Sequence, residues 1–222
     1  TQACSTEENK MIAANAEALR SADPMPALMS VMAGHNKTTL ENWDAERCAA
    51  VASRLARANV AVMPSLMVSD FYLGKDPAPD DPRMGSLPKA VREQWSQGDW
   101  RRQQMKPDML ELAPRSVALD WKTFKLMHDA GVTLLAGTDA AYANPFIFHG
   151  HTLHDELARY VSAGLTPRQA LLTATVNPGR FLKRRDLDGR IAWRQRADLV
   201  LLDANPLQDI SATRLINAVV AK

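Results

Sequence analysis

Only two of the 222 residues are cysteine, Cys4 and Cys48, and they do not form a C-x-x-C pair. Two cysteines cannot build a disulfide framework. Buried or exposed thiols are the simplest reading, with a single bridge as the alternative. No apolar run approaches the ~18 residues of a membrane-spanning helix. An excess of charge of one sign is missing as well: 27 Lys+Arg against 25 Asp+Glu leave a formal charge of +2. That balance removes a strong electrostatic case for nucleic acid or an anionic membrane as partner. Internal repeats and low-complexity tracts are absent. The first residue is Thr1 rather than methionine, and no charged-then-apolar leader follows it. An N-terminus removed by processing, or an internal piece of a longer chain, is therefore expected.

What is present is ordinary globular material. Apolar residues make up 46% and charged residues 23% of the chain, far from a disordered composition. A chain of this mass exposes about 10,000 Å² folded against about 35,000 Å² unfolded, enough for a large core in one domain or a domain and a half.

Ser5-Thr6-Glu7-Glu8 has the spacing of a capping box, which predicts a helix running to about Arg20. A helical period returns from Asp44 to Asn59 through Cys48, Val51, Ala52 and Leu55. Val60–Met63 then reads as a short buried strand ended by Pro64. Residues 74–114 hold six of the thirteen prolines and read as an irregular insertion, of the kind that serves as a lid or binding loop. A helix over about 115–130 stops at Gly131, and residues 132–136 form a second buried strand. Helix, glycine, short apolar strand is the rhythm of a parallel sheet or barrel. Further helices follow at about 152–163 and from the Thr166-Pro167-Arg168-Gln169 cap. Beyond Asn177-Pro178 the pattern changes to three short strands, 190–193, 197–202 and 215–220, with turns at Asp188-Gly189 and Asn205-Pro206.

Asp139 is the sharpest candidate for chemistry. It follows an apolar strand and a Gly-Thr, which places a carboxylate at the C-terminal rim of a parallel sheet, where barrel enzymes keep their catalytic groups. There it could bind a divalent metal or accept a proton from water; the competing reading is a turn or helix cap. His149, His151 and His154 lie shortly after it, beside Asp155 and Glu156. They could make a local zinc site, line a substrate pocket, or sit on the surface. His35 and His128 are isolated and read as satisfied core or surface residues. Met25, Met29 and Met32 read as core packing. Trp95 and Trp100 could line a pocket or pin the insertion to the barrel.

The run Gly131-Val132-Thr133-Leu134-Leu135-Ala136-Gly137-Thr138-Asp139 resembles the eighth barrel strand of the amidohydrolase superfamily. Leu153-His154-Asp155-Glu156-Leu157, Ala163-Gly164-Leu165-Thr166-Pro167, Asn177-Pro178 and Ala197-Asp198-Leu199-Val200-Leu201-Leu202 continue the pattern. Together they are similar to the imidazolonepropionase-like branch, which includes Xaa-Pro dipeptidases. Pro64-Ser65-Leu66 matches that branch's strand-seven ending.

The resemblance implies an α/β fold: the C-terminal part of a (β/α)₈ TIM barrel over residues 1–180, with part of a small β-sandwich over 181–222. It implies a metal-dependent hydrolase of amide or related C–N bonds, with zinc the first candidate metal and a small molecule or dipeptide as substrate. Asp139 would be both metal ligand and catalytic base, and His154 would contact substrate. The family's His-x-His, its strand-four lysine and its two later histidines have no counterpart here. Trp193-Arg194-Gln195 stands where the family has Pro-Gly-Lys. The chain would then begin just past the last metal histidine and be inactive alone. A non-catalytic binding domain on the same scaffold is the alternative, and a homo-oligomer is left open.

Overall fold

The computed structural model describes residues 1–78, 80–103, 105–184 and 189–221. In chain order the first elements are α1 (Glu8–Ala18), α2 (Pro24–Asn42), α3 (Ala45–Arg57), β1 (Ala61–Val62), α4 (Lys89–Trp95), α5 (Trp100–Gln103) and α6 (Pro107–Asp129). Then come β2 (Thr133–Leu134), α7 (His151–Ser162), α8 (Pro167–Ala174), α9 (Val176–Phe181), β3 (Leu199–Leu202) and β4 (Ile216–Val220). Short 3-10 turns lie at Gln2–Cys4, Leu66–Leu73, Pro82–Ser86 and Ile210–Arg214. No described helix is long and apolar enough to cross a membrane. The chain divides into two units, 1–59 with 101–132 and 60–100 with 133–222.

The first unit is helical. Asp44 caps α3 by accepting from the Arg47 N–H at 2.6 Å, and Cys48 and Ala52, four apart on that helix, are buried. Met11 and Ala18 of α1 and Ala113, Val117 and Phe124 of α6 are buried as well. The cysteines are not free thiols: Cys4 and Cys48 are joined in a disulfide. Sequence spacing could not show this, because the contact is made by an antiparallel bridge between Ser5 and Trp43 that lines up the two segments. That bridge also displaces the expected start of α1. Ser5 accepts from Glu7 N–H at 3.1 Å, and the helix begins at Glu8 rather than directly after Ser5. Met25 is 63% exposed instead of buried, whereas the side chains of Met29 and Met32 lie outside the described residues. α6 begins well before 115, at Pro107, and runs through Pro114. Proline suits a first helical turn, and the lost bond at Pro114 is tolerated within so long a helix.

The second unit holds the parallel pair that the sequence implied. β1 and β2 run parallel with Ala61 opposite Thr133 and Val62 opposite Leu134. Leu135 N–H extends the ladder to Val62 O at 2.9 Å. α7 and α8 follow, and the Thr166–Gln169 capping box forms at the start of α8 as expected. β3 and β4 are antiparallel, with a register shift between Leu201 and Leu202. The strand expected at 190–193 does not form: this stretch is turn and coil, with Ile191 and Trp193 about nine-tenths exposed, at 91% and 90%. Unpaired backbone has no ladder to join, so β propensity alone is not enough. Asp188 of the expected Asp188-Gly189 turn lies outside the described residues.

Candidate active site

The two parallel strands end alike. Ser65, just past β1, and Asp139, just past β2, both adopt left-handed backbone with φ of 47° and 54°. Non-glycine residues are uncommon there, and Asp is among the better tolerated. Asn144 accounts for Asp139: its carboxamide donates to the Asp139 backbone oxygen at 2.8 Å and to Oδ2 at 3.2 Å. The carboxylate is exposed. Gly137, two residues earlier, lies under the Met63 side chain, which a Cβ at that position would strike.

A buried carboxyl group organises the loop after β1. Glu156 of α7 is fully buried, and its two oxygens accept from Leu66 N–H and Met67 N–H, each at 2.7 Å. One turn along, Tyr160 is also fully buried and donates its hydroxyl to Leu135 O, just past β2, at 3.1 Å. Burial and the neighbouring Glu156 charge push the Tyr160 phenol far above its ordinary range. α7 thus grips both strand ends. Sequence reasoning quoted Glu156 only as part of a pattern. The missed signal was a carboxylate four residues from a tyrosine on the buried face of an amphipathic helix.

The insertion shapes the loop after Asp139. Trp95 and Trp100 donate their indole N–H groups to the carbonyls of Tyr142 and Ala143, each at 3.1 Å. Trp95 is fully buried, with Phe146 and Phe148 edge-on at centroid distances of 5.7 and 5.4 Å. The tryptophans thus pin the insertion to the loop after Asp139. Arg83 adds a cation over the Phe148 ring at 4.5 Å and pairs with Asp81 and with Asp155, at 2.7 and 3.0 Å. Asp155 in turn meets Arg214. The Arg83 guanidinium holds the Asp81 carboxyl below its usual range.

The three histidines part company. His149 and His151 are exposed, the first with its ring 4.9 Å from that of Tyr142. His154 is half-buried, with Nδ1 3.0 Å from the Thr213 hydroxyl. Burial, then the nearby Arg214 charge, lower its pKa, against the opposing pull of Asp155. Among the described residues no three His, Cys, Asp or Glu side chains come together in a group that could hold a metal ion. The described residues therefore do not by themselves fit a complete metal centre, the local histidine cluster included.

Comparison with known proteins bears on this arrangement. The sequence profile of the amidohydrolase family matches residues 84–221. A Xaa-Pro dipeptidase solved with methionine in its active site is similar in structure, with a TM-score of 0.52 and 18% identity over 90% of this chain and 47% of the other. An amidohydrolase structure gives 0.54 and 17% over 90% and 47%. A protein assigned as a prolidase from Bifidobacterium longum gives 0.52 and 21% over 90% and 49%. At these identities the likeness is one of fold. The chain spans about half the length of each of these structures. A search of curated protein sequences finds no match.

Proposed function

The chain belongs to the amidohydrolase family, and we propose that it is the C-terminal portion of a metal-dependent hydrolase that cleaves an amide or related C–N bond in a small substrate such as a dipeptide. The observation that carries this reading is Asp139 in the loop that follows the parallel strand β2, inside the family match, with its carboxylate held by Asn144. A carboxylate there can take a proton from an attacking water and return it to the leaving nitrogen. In the proposed barrel, β1 and β2 are neighbouring strands, and α7 fixes their ends through Glu156 and Tyr160. A metal, zinc first among the candidates, would supply Lewis-acid activation of the water, and its remaining ligands would come from outside this chain. His154 would contact substrate through Nε2, since Nδ1 already lies 3.0 Å from the Thr213 hydroxyl.

Exposed apolar side chains on β3 and β4 support the partial character of the chain. Val200, Leu201, Val219 and Val220 are 54–61% exposed, and a two-stranded ribbon is marginal by itself. A small β-sandwich completed by further strands is the proposed context.

The test uses the intact protein, purified without chelator and assayed on a panel of Xaa-Pro dipeptides and N-acyl amino acids. Stoichiometric metal with turnover, both lost in Asp139→Asn, is the expected result. A metal-free protein without turnover would instead favour a binding module on the same scaffold. Residues 1–222 alone should neither hydrolyse the panel nor bind zinc tightly in a calorimetric titration. Tight one-to-one binding abolished by His151→Ala would move the site to the histidine cluster.

A further inference from the structure

The helical unit carries a feature that the proposed hydrolysis does not use. Cys4 and Cys48 are the only cysteines in the sequence, and no free cysteine is left among the described residues. Both are buried, at 3% and 1% exposure. Their Cα atoms are 4.4 Å apart although 44 residues separate them in sequence. The surrounding backbone brings them together. Thr6 N–H donates to Asn42 O and Asp44 N–H to Cys4 O, both at 2.9 Å. Arg47, one residue before Cys48, donates from Nε to Ala3 O at 3.1 Å and pairs with Glu8. Backbone bonds and the Arg47 side chain thus join the two segments on either side of the disulfide.

We propose that Cys4–Cys48 is a permanent structural disulfide, installed by a disulfide-carrying oxidant, and that the protein matures in an oxidising compartment outside the cytosol. The exchange balances simply. One thiolate attacks a disulfide of the oxidant and expels one of its thiols; the other thiolate then attacks the mixed disulfide and expels the second. Two electrons and two protons pass from the cysteines to the oxidant. Once made, the bond is shielded: a reducing thiolate must reach one sulfur in line, and both are covered. This separates it from a redox switch, whose sulfurs must be accessible. The compartment follows, because structural disulfides form and persist in secreted, envelope and lumenal proteins and are rare where glutathione keeps thiols reduced. The inference is independent of the proposed hydrolase activity.

The experiment has two arms. Protein is isolated from its native host with acid quenching, and cysteines are labelled with N-ethylmaleimide under denaturing conditions, before and after reduction, for peptide mass spectrometry. The expected result is no label before reduction and both sites labelled after it. Both sites labelled before reduction would overturn the compartment assignment. In the second arm, the intact purified protein is refolded in a glutathione redox buffer and melted with and without dithiothreitol. A linked Cys4–Cys48 peptide and a fall in melting temperature of roughly 10 °C on reduction are expected for a loop of this length. Failure to cross-link, or a melting temperature unmoved by reduction, would overturn the structural role.

Discussion

Replacing Glu156 should loosen the loop after β1 more than any other single change on α7. Both carboxyl oxygens are engaged, by Leu66 N–H and Met67 N–H at 2.7 Å, in a place without solvent access. Glu156→Gln keeps the shape but turns one acceptor into a donor facing a backbone N–H. That loses one charge-assisted bond and leaves a buried N–H unpaired, together about 3 kcal/mol. Glu156→Ala leaves both N–H groups unpaired and adds a cavity, which raises the cost to about 4–5 kcal/mol. Urea denaturation gives the free energies. Hydrogen exchange at the amides of Leu66 and Met67 locates the effect, since those two should lose protection first. A loss under 1 kcal/mol in Glu156→Gln, with both amides as protected as in the wild type, would refute the claim that this carboxyl group organises the strand ends.

Tyr160→Phe removes the hydroxyl that donates to Leu135 O and also meets the Glu156 carboxylate, and should cost about 1–2 kcal/mol by the same denaturation measurement. His154 titrates below its ordinary range because of burial and Arg214. The unfolded chain therefore takes up the proton first as pH falls. Its contribution is complete above the unfolded value of about 6.5 and is lost as pH falls from there through the folded pKa. Urea midpoints between pH 7.5 and 5 should thus fall less steeply in His154→Gln than in wild type, and equal slopes would contradict the assignment. Trp95→Phe keeps an aromatic ring but loses the bond to Tyr142 O, so hydrogen exchange over 140–148 should quicken while α1–α3 are unchanged. Asn144→Ala should quicken exchange at 139–141, because it removes both bonds that hold Asp139 in its left-handed conformation.

Local chemistry made much of this protein legible from its sequence. The Thr166–Gln169 capping box, the helix that follows Asp44 and the two short apolar strands before Ser65 and Asp139 are written in runs of a few residues, and they are found close to where they are expected. The family resemblance rested on the same short motifs, and the profile match over 84–221 agrees with it. Other features depend on distant partners. The Cys4–Cys48 bond arises from strand-like pairing of Ser5 with Trp43. The failure of 190–193 to form a strand reflects the lack of a ladder to join, a matter of geometry rather than propensity. Three histidines close in sequence were dispersed by the course of the chain, one against Tyr142, one into solvent and one onto Thr213. Glu156 looked like a motif letter until the fold brought two backbone N–H groups to it across ninety residues. A sequence carries local propensity and periodicity directly, but which side chain meets which distant backbone group is decided only when the elements pack.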